Sequence, residues 1–146
     1  MIRIAKSAAA VAFAAYLTTA GHSFAADPAG VWINREGDTK IRVTRCGEGI
    51  CGAVAWLGDP NDAQGKPKTD RHNSDASKRG RRLMGLAVLI GMRSNGPDKW
   101  EGQIYNADDG NTYKSYVTLA NNNTMNVQGC VLGGLICKSM VWTRSN

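Results

Sequence analysis

The sequence predicts an all-β fold, an antiparallel up-and-down barrel of eight strands. Three observations carry that expectation. Apolar residues recur at every second position over most of the chain, no helical period appears beyond Ala25, and turn-forming clusters break the alternation at short, regular intervals. The length of 146 residues is one domain's worth, and 42% hydrophobic with 21% charged residues excludes a disordered or fibrous chain.

The segment ahead of Ala26 stands apart. Arg3 and Lys6 form a basic start, Ala8 to Leu17 is apolar but too short to span a bilayer, and Ser23 and Ala25 are the small residues of a cleavage site. Residues 1–25 are read as a secretory signal peptide cut after Ala25, and residues 26–146 as one barrel domain, periplasmic or secreted. An uncleaved anchor is the competing reading. No later segment supplies twenty apolar residues, because the longest apolar run, Leu83 to Met92, has ten and includes two glycines.

Strands are expected near 30–34, 39–46, 50–57, 83–92, 98–105, 111–119, 124–130 and 136–143. Ile41 and Val43 alternate with Lys40, Arg42 and Thr44; Trp100, Gly102 and Ile104 with Glu101 and Gln103; Met125 and Val127 with Asn126 and Gln128. Tyr113, Val117 and Leu119 form another set, as do Ile136, Met140 and Trp142. The segments 50–57 and 83–92 are apolar on both faces. Turns are marked by Glu36-Gly37-Asp38, Asn95-Gly96-Pro97, Asp108-Asp109-Gly110 and Asn121-Asn122-Asn123. One long polar loop, Gly58 to Arg82, separates strands 3 and 4. The remaining spacing of about twelve residues per strand and turn suits a barrel or sandwich. Glycines at 52, 85, 91 and 102 suit the bends that closure requires.

An up-and-down barrel brings its first and last strands together. Gly30-Val31-Trp32 opens the first and Trp142-Thr143-Arg144 ends the last, so Arg144 is expected to stack on Trp32. This Gly-x-Trp start with a late Arg resembles the signature of lipocalin-like barrels. Trp32, Trp142 and Arg144 are therefore assigned structural roles.

The cysteines, Cys46, Cys51, Cys130 and Cys137, all follow the signal segment. An even count in an exported chain favours disulfides, and three pairings are possible. Each close pair flanks a glycine-bearing segment that reads as a hairpin tip, so Cys46–Cys51 and Cys130–Cys137 are expected. Closures this short stabilise by about 2 kcal/mol and pin turns more than they hold the fold. Zinc is the alternative, but neither pair has the two-residue spacing of a zinc knuckle.

The motifs CGEGICGAVAWL, GKPKTDRHN, RGRRLMGL, WEGQIYNADDGNTYKS and GCVLGGLICKSMVWTR follow one another in order. Together they resemble the family of small exported bacterial proteins catalogued as domain of unknown function 2147, over nearly all of residues 26–146. The resemblance implies a secreted, calycin-like barrel with two cysteine pairs and no assigned reaction. The family pattern has a proline after the second arginine of the RxR element and another after the Asn of the loop motif. Arg82 and Ser74 stand there instead, which bears on the stiffness of the loop rather than on the fold.

Chemistry has few places to sit. His22 leaves with the signal segment, so His72 is the single remaining histidine, and any Ser-His-Asp or Cys-His mechanism must run through it. In a polar loop it reads first as a solvated imidazole. Asp59 and Asp62, Asp70 and Asp75, and Asp108 and Asp109 are the available carboxylate pairs, all in turn-like segments. The run from Asp59 has Gln64 and Asp70 where a calcium loop needs Gly and Glu. No catalytic residue, metal site or cofactor is assigned.

The distinctive feature is the charge of the long loop. Of the formal +6, a net +5 lies in Lys66 to Arg82, where Lys66, Lys68, Arg71, Lys78, Arg79, Arg81 and Arg82 face only Asp70 and Asp75. Arginine forks suit phosphate or carboxylate, and a cluster at a barrel mouth is expected to hold an anionic head group while the barrel takes an apolar tail. The expected ligand-binding residues are Lys68, Asp70, Asn73, Arg79, Arg81 and Arg82. The expected partner is a small amphiphile, such as a lipid or fatty acid, or an anionic envelope component. Export and the scarcity of aromatics among these charges argue against nucleic acid. Two other readings stay open: an envelope-interacting protein with a packed core, and a hydrolase built on Asp70 and His72. N-terminal sequencing of the exported protein should begin at Ala26, and a mature protein starting at Met1 would remove the signal-peptide reading.

Overall fold

Strand pairing accounts for most of the chain in the computed structural model, which describes residues 26–146; the expected signal segment lies outside them. Eight strands, β1 (Gly30–Ile33), β2 (Thr39–Cys46), β3 (Gly49–Leu57), β4 (Ala87–Ser94), β5 (Lys99–Asn106), β6 (Asn111–Asn121), β7 (Thr124–Val131) and β8 (Ile136–Ser145), pair in sequence order. All neighbours are antiparallel, and β1 pairs β8 to close the barrel. Among the described residues no helix is long and apolar enough to cross a membrane.

One boundary differs from the sequence reading by more than two residues. Periodicity opens the fourth strand at Leu83, but β4 begins at Ala87. The Leu86 amide donates to the Leu83 carbonyl at 3.0 Å, and Gly85, with φ +83°, turns the chain there. Gly85 therefore belongs to a turn, not to a bent strand. The turn is apolar because Leu86 joins the core and Leu83 packs against it. Burial, not strand pairing, explains those leucines. Register shifts do occur around Gly52 in β3 and across Ile90 to Arg93 in β4, where Gly91 lies.

The long connection between β3 and β4, which the sequence presents as a structureless loop, has structure of its own. It contains bridges between Asn61 and Pro67 and between Thr69 and Arg82, and a short 3₁₀ turn over Ala76–Lys78. In an up-and-down barrel this connection shares one end with the β1–β2, β5–β6 and β7–β8 turns. The start of β1, the close of β8 and the other three turns occupy the opposite end.

The interior is filled. Trp32, Val43, Ile50, Leu89, Met92, Val117, Met125 and Val127 are at most 1% exposed. A lumen able to hold water or ligand would leave such lining residues accessible, so side chains occupy the centre, as eight strands permit. Ser115 is buried as well, and its hydroxyl has no partner among the described residues.

Closure is fastened at the end where β1 starts and β8 finishes. Trp32 and Arg144 are direct cross-strand partners, and the guanidinium lies 4.3 Å from the indole centroid. The indole N–H donates to the Pro28 carbonyl at 2.9 Å. Arg144 donates to the carbonyls of Ala29, Asp27 and Asn122, tying together the segment before β1, the closing strand and the β6–β7 turn. Gly30 is needed here for two reasons. Its φ is +144°, and a Cβ would collide with the Arg144 guanidinium.

Both disulfides form as expected, Cys46–Cys51 at the β2–β3 turn and Cys130–Cys137 across paired positions of β7 and β8. Local pairing joins cysteines that the register already holds close. Arg144→Lys keeps the charge but loses the planar fork, so it should lower stability by about 2–3 kcal/mol in urea unfolding. A loss of no more than about 0.5 kcal/mol, the size of an ordinary surface substitution, would show that closure does not depend on the guanidinium.

Candidate functional site

The basic connection is shaped by its acids. Asp62 accepts from the Gln64 and Lys66 amides at 2.9 Å each, folding a tight turn over Gly65. Asp75 accepts from the Ser77 amide and hydroxyl and caps the 3₁₀ turn. Asp59 pairs with Lys68 at 3.2 Å and Asp75 with Lys78 at 3.5 Å, both pairs largely exposed.

Asp70 is different, because it is fully buried. One carboxylate oxygen accepts the Tyr105 hydroxyl at 2.6 Å; the other accepts the Asn73 side-chain amide and the Arg81 Nε–H, each at 2.8 Å. Asn73 also donates to the Tyr105 oxygen at 2.8 Å, and the Arg81 guanidinium lies 5.4 Å from the Tyr105 ring centroid. Burial opposes ionisation of Asp70, but the three hydrogen bonds and the Arg81 charge outweigh it and hold the carboxyl below its ordinary 3.8. Burial first, then Asp70, pushes the Tyr105 phenol up, so it stays a donor. The cluster clamps the connection onto β5.

The β5–β6 turn presses against the same region. A Cβ at Gly110 would collide with the His72 carbonyl, so only glycine lets the two segments meet. Beside this contact lies a cavity of about 390 Å³. Its lining is basic at Lys68, Arg71 and His72, apolar at Ala63, Leu83 and Ala107, and acidic at Asp62 and Asp108. The Arg71 Nε–H donates to His72 Nε2 at 3.0 Å, so the imidazole presents its lone pair to a cation.

The expected ligand-binding residues therefore divide. Lys68 faces the cavity. Asp70 and Asn73 are spent on one another and on Tyr105, while Arg81 gives its Nε–H to Asp70 and keeps its side chain 41% exposed. Arg79 donates through Nε to the Asn73 carbonyl at 2.8 Å. Among the described residues Lys66, Arg71, Arg79 and Arg82 make no ion pair. Asp70 and His72, set together in the hydrolase reading, share no hydrogen bond, because the Asp70 carboxylate is taken up by the β5 clamp. Thr69, Arg71 and His72 reach the cavity, although the sequence marks none of them as a ligand-binding residue. One signal for the clamp is available in the sequence. Tyr105 follows inward-facing Ile104, so alternation puts a large aromatic on the outer face, where it needs a cover.

Eight antiparallel strands closed up-and-down, with a Gly-x-Trp start whose indole lies beneath a late arginine of the closing strand, make a lipocalin-like barrel. The chain superposes on HP1028 from the human pathogen Helicobacter pylori, described as belonging to the lipocalin family, with a TM-score of 0.72 at 20% identity, covering 83% of this chain and 84% of that one. At that identity the likeness is one of fold. The chain belongs to the family described as uncharacterized protein conserved in bacteria (DUF2147), whose model matches residues 30–144. No curated protein matches it in sequence.

Asp70→Asn removes the charge that Arg81 faces and should cost about 3 kcal/mol at pH 7. Because the folded-state value is depressed, the Asp70 contribution is complete well above 3.8 and is lost as pH falls through 3.8 towards the folded value. Unfolding measured from pH 7 to pH 2 should show the native protein weakening below about pH 4 and the variant changing less. Parallel curves would mean that the clamp does not depend on ionised Asp70.

Proposed function

We propose that this is an exported, non-enzymatic barrel that binds a small anionic or amphiphilic ligand in the surface cavity beside the basic connection. The observation that carries the reading is that cavity: cations and an apolar wall meet where the connection is clamped to the β5–β6 turn. The anionic group, a carboxylate or phosphate, faces Lys68 and Arg71. The apolar part rests on Ala63, Leu83 and Ala107. Because the centre of the barrel is filled, the ligand stays at the surface instead of entering the lumen. Asp62 and Asp108, which also line the cavity, favour a ligand whose head also carries a hydroxyl or amine.

Asp70, Asn73 and Arg81 act as positioning residues, holding the connection in place without touching ligand. Arg79 and Arg82 add field near the site. Two disulfides suit the oxidising compartment that a signal peptide implies, which supports a periplasmic or secreted location.

Decyl phosphate and decanoate are suitable probes. Lys68→Gln with Arg71→Gln should weaken binding of both by at least about tenfold at low salt and flatten its salt dependence, since exposed charges are screened within about 10 Å at 0.1 M. Stability should move by no more than about 0.5 kcal/mol per substitution. Equal calorimetric affinity of the folded variant and the native protein, or equal affinity for decanol, would remove the anion site.

A further inference from the structure

The β7–β8 hairpin ends in an apolar tip. Val131, Leu132, Leu135 and Ile136 are 43%, 68%, 85% and 59% exposed. Leu132 and Leu135 in the turn, with Val131 and Ile136 at the strand ends that flank it, are all aliphatic and all in solvent, the reverse of what turn chemistry favours. The backbone there is also unusual. Leu132 adopts φ +53°, a left-handed conformation that a branched aliphatic residue rarely takes, followed by Gly133 and Gly134 with positive φ. Asn or Gly would hold this turn at lower cost, so the tip spends stability to show a leucine. The Cys130–Cys137 bond braces its base.

The rim of the tip is cationic and aromatic. Lys138 is exposed two positions beyond Ile136 on β8. A Cβ at Gly134 would lie 3.3 Å from the Tyr116 hydroxyl and 3.9 Å from the Lys114 side chain, so the turn folds back over both. Lys114 pairs with Glu101 at 2.9 Å and lies over the Tyr116 ring. Aliphatic side chains outermost, with tyrosine and lysine behind them, match the order from hydrocarbon to head groups in a bilayer.

We propose that this tip inserts into the interfacial layer of an anionic phospholipid membrane, leaving the barrel outside. A second copy of the chain is a poor occupant, because a two-fold contact through the tip would face Lys138 against its symmetry mate. Four aliphatic side chains on a protrusion also fall well short of the roughly 800 Å² per partner of a stable protein interface. A fluid bilayer needs no complementary groove. The tip shares its end of the barrel with the basic connection, whose Lys66, Arg79 and Arg82 make no ion pair among the described residues, so attraction and insertion act from one side. Asp108 and Asp109 on the intervening β5–β6 turn oppose that attraction locally; Asp109 is occupied by Tyr113 and Asn106. Insertion does not depend on the anion-binding cavity.

The test is flotation with vesicles of phosphatidylglycerol and phosphatidylcholine mixed one to two, and with vesicles of phosphatidylcholine alone. Leu132→Asn with Leu135→Asn should weaken partitioning by about tenfold per leucine. Asn tolerates the left-handed turn, so the variant should melt no lower than the native protein. In a Leu135→Trp variant, emission should shift to the blue on the anionic vesicles and be quenched by brominated acyl chains, beyond any change in the native protein. Loss of salt dependence in Lys68→Gln with Arg71→Gln would bear only on the cavity, since tryptophan quenching at the tip should persist. Equal flotation of native and asparagine variants, or unquenched tryptophan, would overturn the insertion. So would a concentration-dependent dimer that the asparagine substitutions abolish and that does not float.

Discussion

The closing contact between β1 and β8 is the constraint on which the rest of the molecule depends. A sheet of eight strands has two edges unless the first and last meet, and here β1 offers only four residues for the task. Arg144 compensates for that short seam. It covers the Trp32 indole and donates to three carbonyls, two before β1 and one in the β6–β7 turn. Once the seam holds, every inward position faces the others across the centre, and the apolar periodicity of all eight strands becomes one core.

Closure also sorts the connections between two ends and gives them different work. At one end Arg144 ties the segment before β1 to the β6–β7 turn. At the other, a long connection must be held down against its own charge. Asp70 does this from a fully buried position, where a carboxylate is tolerable only because Tyr105, Asn73 and Arg81 surround it. One buried anion thus converts a basic stretch into an ordered wall. It also engages the Arg81 Nε–H while leaving Lys66, Arg71, Arg79 and Arg82 outside any ion pair among the described residues.

Filling the barrel changes how the lipocalin-like fold serves the proposed ligand. In a hollow barrel the lumen would supply apolar contact and the mouth specificity. Here Trp32, Met92, Met125 and their neighbours occupy the lumen, so the proposed recognition falls on the outer surface at the loop-bearing end. The cavity by the β5–β6 turn and the aliphatic β7–β8 tip both lie there.

The sequence by itself determined the strands, because a period of two survives wherever one face is buried, and it determined the seam, because an up-and-down order brings the first and last strands, with Trp32 and Arg144, together. It also determined the disulfides, since cysteines five and seven residues apart flank turns that bring them together. It misplaced the start of β4, since Leu83 and Leu86 are apolar for burial in a turn, which periodicity cannot tell from a strand. What only the tertiary structure decided was the fate of each charge. Asp70 and Arg81 lie in a run whose charges read as ligand-binding, and nothing within that run shows that these two are turned onto each other instead. Tyr105, 35 residues away on β5, makes the difference. Whether a polar side chain binds a ligand or the protein depends on which surface folds against it, and that surface comes from elsewhere in the chain.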